Sequence, residues 1–303
     1  MIEVMSNCLS LEQEFPPKPT FPDELWNECI EQKDFMPILF EWYKYTGVVC
    51  NIVASISRHS PAVREMPPLH FAVLTGLLNR CSRLMLSNIR LSVMNKYGET
   101  TRLLDRCIIE SAVIVQWLCQ KDSDECFQRY LADGVKSDLS LKDQIQQNIA
   151  ERKGTTFVIE NRMLSSIERC ISSTELTEDQ IHKTKKLPDM WSMCRDLTLP
   201  PEFYIGFQRM GSHEVHGTWS SLRNHYLRQD ESGEYLLRDH DVPPHETQFT
   251  VIPLIVMETL ESFFQYIVPD ASDSKPVMSI LSDARIEIGE LTRTIMSEDF
   301  EIE

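Results

Sequence analysis

An all-α fold, a bundle of many helices, is the class this sequence predicts. Apolar residues recur at three- and four-residue steps along most of the chain, the spacing that paints one side of a helix. Alternating apolar runs, the mark of half-buried strands, are almost absent. With 303 residues, 42% of them apolar and 25% charged, the chain has the composition of an ordinary globular protein and can bury a sizeable core.

Residues 1–22 hold Pro16, Pro17, Pro19 and Pro22 and predict an extended lead-in. The stretch 23–68 is read as N-terminal helices. The longer one runs from Phe35 to about Arg58, with Leu39, Trp42, Tyr43, Thr46, Val49, Ile52, Val53 and Ile56 at helical spacing. Pro61, Pro67 and Pro68 end it.

Residues 69–268 are predicted to be the helical core domain. Leu69 to Asn95 carries Leu74, Leu77, Leu78, Leu84, Leu91 and Met94 in register, and Glu99 to Gln120 carries Leu103, Leu104, Cys107, Ile108, Val113, Ile114, Trp117 and Leu118. The Tyr97-Gly98 turn between them is short enough to force antiparallel neighbours, expected at the bundle centre. Helical character resumes at Glu125 and runs to about Lys153, Gly154 interrupts, and Phe157 to Ile171 forms another helix. Thr174 or Thr177, with Glu178 or Gln180 downstream, reads as a capping pattern. From 224 to 239 the pattern changes: Tyr226-Leu227, a polar turn through Glu231-Ser232-Gly233, then Tyr235-Leu236-Leu237. A small hairpin or ordered loop is expected there. A last pair of helices covers roughly Thr247–Ile267 and Lys275–Met296, so that 269–303 forms a C-terminal helix and an acidic tail.

The formal charge of −16 argues against non-specific binding to nucleic acid or anionic membrane by the whole surface. Nine scattered cysteines without a Cys-x-x-Cys pair predict reduced thiols packed as small hydrophobes rather than disulfides or zinc ligands. No leader pattern and no uninterrupted apolar span is visible, so a cytoplasmic protein without membrane contact is expected. The chain has no phosphate-cradling glycine loop and no Gly-x-Ser-x-Gly elbow, and no cofactor is expected.

Chemistry-bearing residues concentrate in Tyr204–Trp219, which holds Arg209, Ser212, His213, Glu214 and His216. On an α-helix Arg209, His213 and His216 stand at i, i+4 and i+7 and share a stripe. These residue types suit metal-independent RNA cleavage. A histidine titrating near 6.5 takes the 2′-hydroxyl proton, and a permanently charged arginine steadies the crowded phosphorane. Gly206, Gly211 and Gly217 work against one continuous helix, by about 1 kcal/mol each, and interface or core histidines are the competing explanation. Arg106 and Glu110 are i, i+4 on an apolar helix. They form either a structural salt bridge or, in the functional version, a support in which Glu110 orients His216. Arg80, Arg83 and Arg90 share a face that would collect phosphate or simply be solvated. His213 and His216 have helical ligand spacing, but Glu214 points off their face and Asp239, His240, Asp241 and His245 are loop residues, so no metal site is expected.

Three stretches together resemble a bacterial all-helical family that is a domain of unknown function: Arg102-Leu-Leu-Asp-Arg106 with Glu110, Cys126-Phe-Gln-Arg-Tyr130, and Glu202-Phe-Tyr204 leading to Ser212-His-Glu-Val-His216-Gly217. The likeness spans roughly 69–265 and implies a helical fold in an intracellular bacterial setting. The chain is less closely similar to the HEPN ribonucleases, whose mark is an arginine and a histidine with four to six residues between them. Arg209 and His216 have six residues between them, while Met210 stands where those proteins carry a polar residue. The expected function is therefore a metal-independent endoribonuclease serving defence or stress. His216 is its base, Arg209 its phosphate clamp, and His213, Ser212 and Glu110 are auxiliaries. Arg80, Arg83, Arg90 and Tyr204 would contact substrate, and RNA together with a protein partner or a second copy are the expected partners. The alternative is a non-catalytic helical sensor or interaction module whose His/Glu cluster is structural.

Overall fold

The computed structural model describes residues 14–94, 96–239 and 241–298, with the backbone alone at 207–210 and 296–298. The first thirteen residues of the expected lead-in, Cys8 among them, and the acidic tail at 299–303 lie outside the described residues. Residues 16–22 carry no regular structure, as their prolines dictate.

The helices are α1 (Asp23–Gln32), α2 (Met36–Ala54), α3 (Pro68–Ser92), α4 (Gly98–Lys121), α5 (Asp124–Glu151), α6 (Val158–Ser172), α7 (Glu178–Lys183), α8 (Met190–Asp196) and α9 (Pro201–Phe203). A π-helix (Tyr204–Arg209) follows, then α10 (Met210–Val215), α11 (Trp219–His225), strands β1 (Leu227–Gln229) and β2 (Tyr235–Leu237), α12 (Glu246–Ile267) and α13 (Ala271–Glu298). The strands pair antiparallel, Leu227 with Leu237 and Gln229 with Tyr235. Their turn is tied by Asp230 Oδ1, which accepts from the Ser232 and Glu234 backbone N–H groups at 2.9 Å each. The fold is all-α with one small hairpin, as the periodicity predicts.

Packing divides the chain differently from the sequence segments. One unit comprises 1–119 with 190–303, the other 120–189. In the first, α2 packs on α3 and on α12, and α12 packs on α13. Helices from early and late in the sequence therefore share one core. Helices α3 and α4 are antiparallel neighbours, as expected: Arg80 Nη1 donates to the Cys107 carbonyl at 3.0 Å, and Asn88 Nδ2 donates to Asp105 Oδ1 at 2.6 Å. The deepest burial extends beyond that pair. On α12, Phe249, Ile252, Val256, Leu260, Phe263 and Ile267 are all within the core, and the Phe249 ring meets Phe40 and Tyr43 at 4.8 and 5.1 Å. Helix α12 is apolar on nearly every side, and such a helix is stable only when enclosed. Each buried Phe, Leu or Ile contributes about 1.5–3 kcal/mol.

In the second unit, Val135, Leu139, Ile145, Ile167, Ile171 and Ile181 form the core of α5, α6 and α7. The predicted capping pattern resolves to Thr177 and Gln180: the Gln180 N–H donates to Thr177 Oγ1 at 3.2 Å, and Thr177 N–H donates back to Gln180 Oε1 at 2.8 Å.

Trp117 is 1% exposed and its indole N–H donates to Asp196 Oδ2 at 3.1 Å. Trp117→Ala removes the ring from an enclosed site and should lower the unfolding free energy by about 3–5 kcal/mol in urea. A loss below about 1 kcal/mol would mean that the site collapses around the gap or that the ring contributes little.

Candidate functional site

Along α4, Glu99, Arg102, Arg106 and Glu110 follow one another at steps of three and four residues, so they line up on one side of the helix. That side binds the segment from the π-helix to α11. Glu99 accepts from Ser221 Oγ at 2.8 Å and from the Tyr226 hydroxyl. Arg102 Nη1 donates to Glu214 Oε1 at 3.2 Å. Arg106 donates through Nε to Glu110 Oε1 at 3.0 Å and through Nη1 to Ser212 Oγ at 2.9 Å. Two of the stretches singled out in the sequence, Arg102–Glu110 and Ser212–Gly217, are thus physically joined. The joint is close: a Cβ on Gly211 would stand 3.0 Å from Arg106 Cβ.

Glu214 lies beneath this joint. Its side chain is 2% exposed and that of His225 is 3% exposed, with Nε2 3.7 Å from Glu214 Oε1, too far for a good hydrogen bond. Neither ring nitrogen of His225 has a hydrogen-bond partner among the described residues. Burial pushes the Glu214 carboxyl upward, but His225, its own backbone N–H and Arg102 together outweigh that and hold it below the ordinary value.

The expected stripe of Arg209, His213 and His216 does not form on one α-helix. The backbone is a π-helix through Arg209, α-helical only over Met210–Val215, and turns at His216 and Gly217, where Gly217 takes φ +54. The three glycines explain the break, since each weakens helix and Gly217 supplies a left-handed end. The Arg209 side chain lies outside the described residues. His213 and His216 are exposed, and His213 Nδ1 is 2.9 Å from Thr218 Oγ1. Glu110, expected as a support for His216, takes Arg106 as a partner. Of the other predicted contacts, Arg80 is spent on the Cys107 carbonyl and Ser111, while Arg83 and Arg90 are exposed. The Tyr204 ring packs edge-on against Trp191 at 5.1 Å. The site therefore gathers Ser212 and Glu110 around Arg106 and leaves the α3 arginines apart from that cluster. Among the described residues no group of three or more His, Cys, Asp and Glu stands where it could hold a metal ion, and no helix is long and apolar enough to cross a membrane. His240 lies outside the described residues.

A cavity of about 410 Å³ opens beside the joint. Arg102, Asp105 and Arg106 line it from α4, Gly206 and Gly211 from the π-helix and α10, and Gln248 from α12. Asp105 is 7% exposed. Burial raises its pKa to about 8, with the Asn88 hydrogen bond and the nearby Arg102 charge pulling the other way. Asn88 Nδ2 also lies 3.0 Å from the Tyr43 hydroxyl, so α2, α3 and α4 meet at this amide. Gln248 Oε1 accepts from Thr101 Oγ1 at 3.3 Å, while its Nε2 has no partner among the described residues. Asp105 and Gln248 were not singled out in the sequence. The available signal is register: Asp105 falls three residues before Ile108 and seven before Ala112, on the buried face, and Gln248 sits four before Ile252.

Asp105 gives the site a pH signature. Its folded pKa lies above the ordinary 3.8, so the stability it contributes is fully present below about pH 4 and is lost as pH rises through about 8. Urea midpoints measured across that window should fall for the wild type relative to Asp105→Asn, which cannot ionise. Parallel curves for the two proteins would show that the carboxyl titrates normally.

Comparison with curated proteins and with solved structures finds no match to the chain. A family model does match, over residues 71–235, from within α3 to the start of β2. It spans both the α4 stripe and the segment that stripe holds, and more than half of the chain. The chain belongs to that family, the family of unknown function DUF5677.

Proposed function

We propose that this protein is a non-catalytic helical sensor that takes a small, mainly apolar molecule with a polar end into the cavity beside α4. The observation that carries this reading is the composition of the cavity. Most of the exposed wall is apolar, Ile109 and Ile252 contributing to it, and Arg102, Asp105, Arg106, His245, Thr247 and Gln248 bring polar groups to its edge. Small-molecule sites are built in that proportion and at that size. The unpartnered Gln248 Nε2 offers a donor, and Asp105, held neutral around neutral pH, does not repel an acceptor. Arg106 supplies the readout. Its guanidinium binds Ser212 across the joint, so a ligand acceptor competing for it would loosen α10 from α4. A ligand changes the conformation only through such a difference in binding.

Anilinonaphthalene sulfonate, an apolar anion with strong environment-sensitive fluorescence, should bind the folded protein at one saturable site. Ile109→Trp should fill the cavity and remove that signal while circular dichroism and melting stay cooperative. Gln248→Leu, which keeps the bulk but not the donor, serves as a second variant. Absence of saturable binding to the wild type would defeat the sensor reading.

A second reading is supported by the exposure of His213 and His216. In it the chain is a metal-independent endoribonuclease: His216 takes the 2′-hydroxyl proton, Arg209 steadies the phosphorane, and His213, Ser212 and Glu110 assist. Purified protein should then cleave total RNA in the presence of chelator, and His216→Ala should stop it. Cleavage that persists in both Arg209→Ala and His216→Ala removes these residues from the reaction.

A further inference from the structure

A second cavity, of about 390 Å³, lies at the hairpin. Arg223 of α11, Arg228 of β1 and Arg238 just past β2 line it, together with Asn224, Gln229 and Tyr235. No carboxylate lines this cavity, in a chain carrying 46 acidic against 30 basic residues. None of the three arginines forms an ion pair among the described residues. The hairpin turn carries three carboxylates, Asp230, Glu231 and Glu234, none of which lines the cavity, and Asp230 is occupied by the Ser232 N–H and hydroxyl and the Glu234 N–H. Three like charges brought to one hollow repel one another, and an anion is what relieves them.

The hairpin fixes two of the three. Arg228 is in register opposite Leu236. Arg238 donates its backbone N–H to the Tyr226 carbonyl at 2.8 Å and its Nη2 to the Leu227 carbonyl at 3.3 Å. Its Nε is buried without a hydrogen-bond partner among the described residues. A preset guanidinium loses little freedom on binding, and the planar fork matches phosphate oxygens two at a time. An aromatic surface adjoins the arginines. Tyr235, 44% exposed, lines the cavity, and its ring packs edge-on against that of Trp219, 56% exposed, at 5.2 Å. Large aromatic rings left in solvent beside unpaired cations form a platform on which a nucleobase stacks.

We propose that the hairpin cavity binds a nucleotide, with its phosphate held by Arg223, Arg228 and Arg238 and its base laid against Tyr235 and Trp219. The nucleotide comes either free in solution or as part of an RNA strand, and both present the same phosphate and ring. The site stands apart from the apolar cavity beside α4 and needs neither ligand sensing there nor RNA cleavage.

The test uses the full chain with three probes: inorganic phosphate and adenosine monophosphate by calorimetry, and a short fluorescein-labelled oligoribonucleotide by anisotropy. The strand is tested in a His216→Ala background, so that cleavage cannot masquerade as weak binding. Adenosine monophosphate should bind at low salt. Arg228→Ala and Arg223→Ala, both at exposed positions, should each weaken it about tenfold or more, the usual loss on deleting one charged hydrogen-bonding partner. Trp219→Ala should weaken adenosine monophosphate and leave inorganic phosphate unchanged. Tighter binding of the strand than of the mononucleotide assigns the site to RNA, and binding of the mononucleotide alone assigns it to a free nucleotide. The proposal is overturned if neither adenosine monophosphate nor the oligoribonucleotide binds, or if arginine variants with unchanged melting curves bind as the wild type does. Inorganic phosphate binding as tightly as adenosine monophosphate also overturns it.

Discussion

The polar stripe on α4 is the constraint on which the functional half of the molecule depends. Glu99, Arg102, Arg106 and Glu110 all face the same neighbour, and through Tyr226, Ser221, Glu214 and Ser212 they hold the chain from α10 to the start of the hairpin. Few of these bonds are worth much individually. A half-exposed ion pair contributes at most about 1 kcal/mol, and burying a charge costs roughly what its partner returns. Their value lies in specification. Each bond has a fixed place along α4, so together they allow one register for a segment too short and too glycine-rich to choose its own. Hydrophobic contact, being non-directional, would leave that choice open.

The same arrangement explains why the fold was legible in the sequence and the site only partly so. Helices declare themselves through the spacing of many apolar residues, so an error at one position is outvoted. The antiparallel pair α3 and α4, the hairpin, and the Thr177–Gln180 cap all follow from signals of that kind or from turn chemistry a few residues long. A site rests instead on single polar residues whose partners are far away in sequence: Arg106 meets Ser212 from 106 positions off, and Thr101 meets Gln248 from 147. The π-helix had no signal at all. It ends at Arg209 and the α-helix after it ends at Val215, so Arg209, His213 and His216 do not lie on one continuous α-helix. Arg106 and Glu110 were visible as a pair because both lie on one helix. Asp105, one residue away, was not, since a carboxyl on an apolar face announces burial without saying what it serves.

Asp105 also shows how the core and the site are coupled. The carboxyl is bound by Asn88, which also reaches Tyr43, so the floor of the cavity is part of the network joining α2, α3 and α4. A group so placed must stay neutral to be tolerated, and its pKa near 8 means that it does so across most of the range in which proteins work. At Asp105 the cavity beside α4 thus presents a neutral hydrogen-bonding group beside the guanidiniums of Arg102 and Arg106, while the hairpin cavity presents three arginines and no acid. The two hollows differ in chemistry because one is walled by the core and the other by surface turns.

Two glycines show how closely the chain from α10 to the start of α12 is fitted to α4. A Cβ on Gly98 would fall 2.6 Å from the Pro243 carbonyl oxygen and 2.7 Å from that of Val242, and its N–H donates to the Val242 carbonyl at 2.8 Å. A Cβ on Gly211 would meet Arg106 Cβ at 3.0 Å. At Gly98 the obstacle is backbone, which cannot swing aside. At Gly211 it is the root of a side chain whose far end must still reach both Glu110 and Ser212. The first glycine lets the chain leaving the hairpin close over the start of α4, and the second lets α10 settle on its middle. Between these two close approaches run Arg102 and Asp105, which line the cavity beside α4.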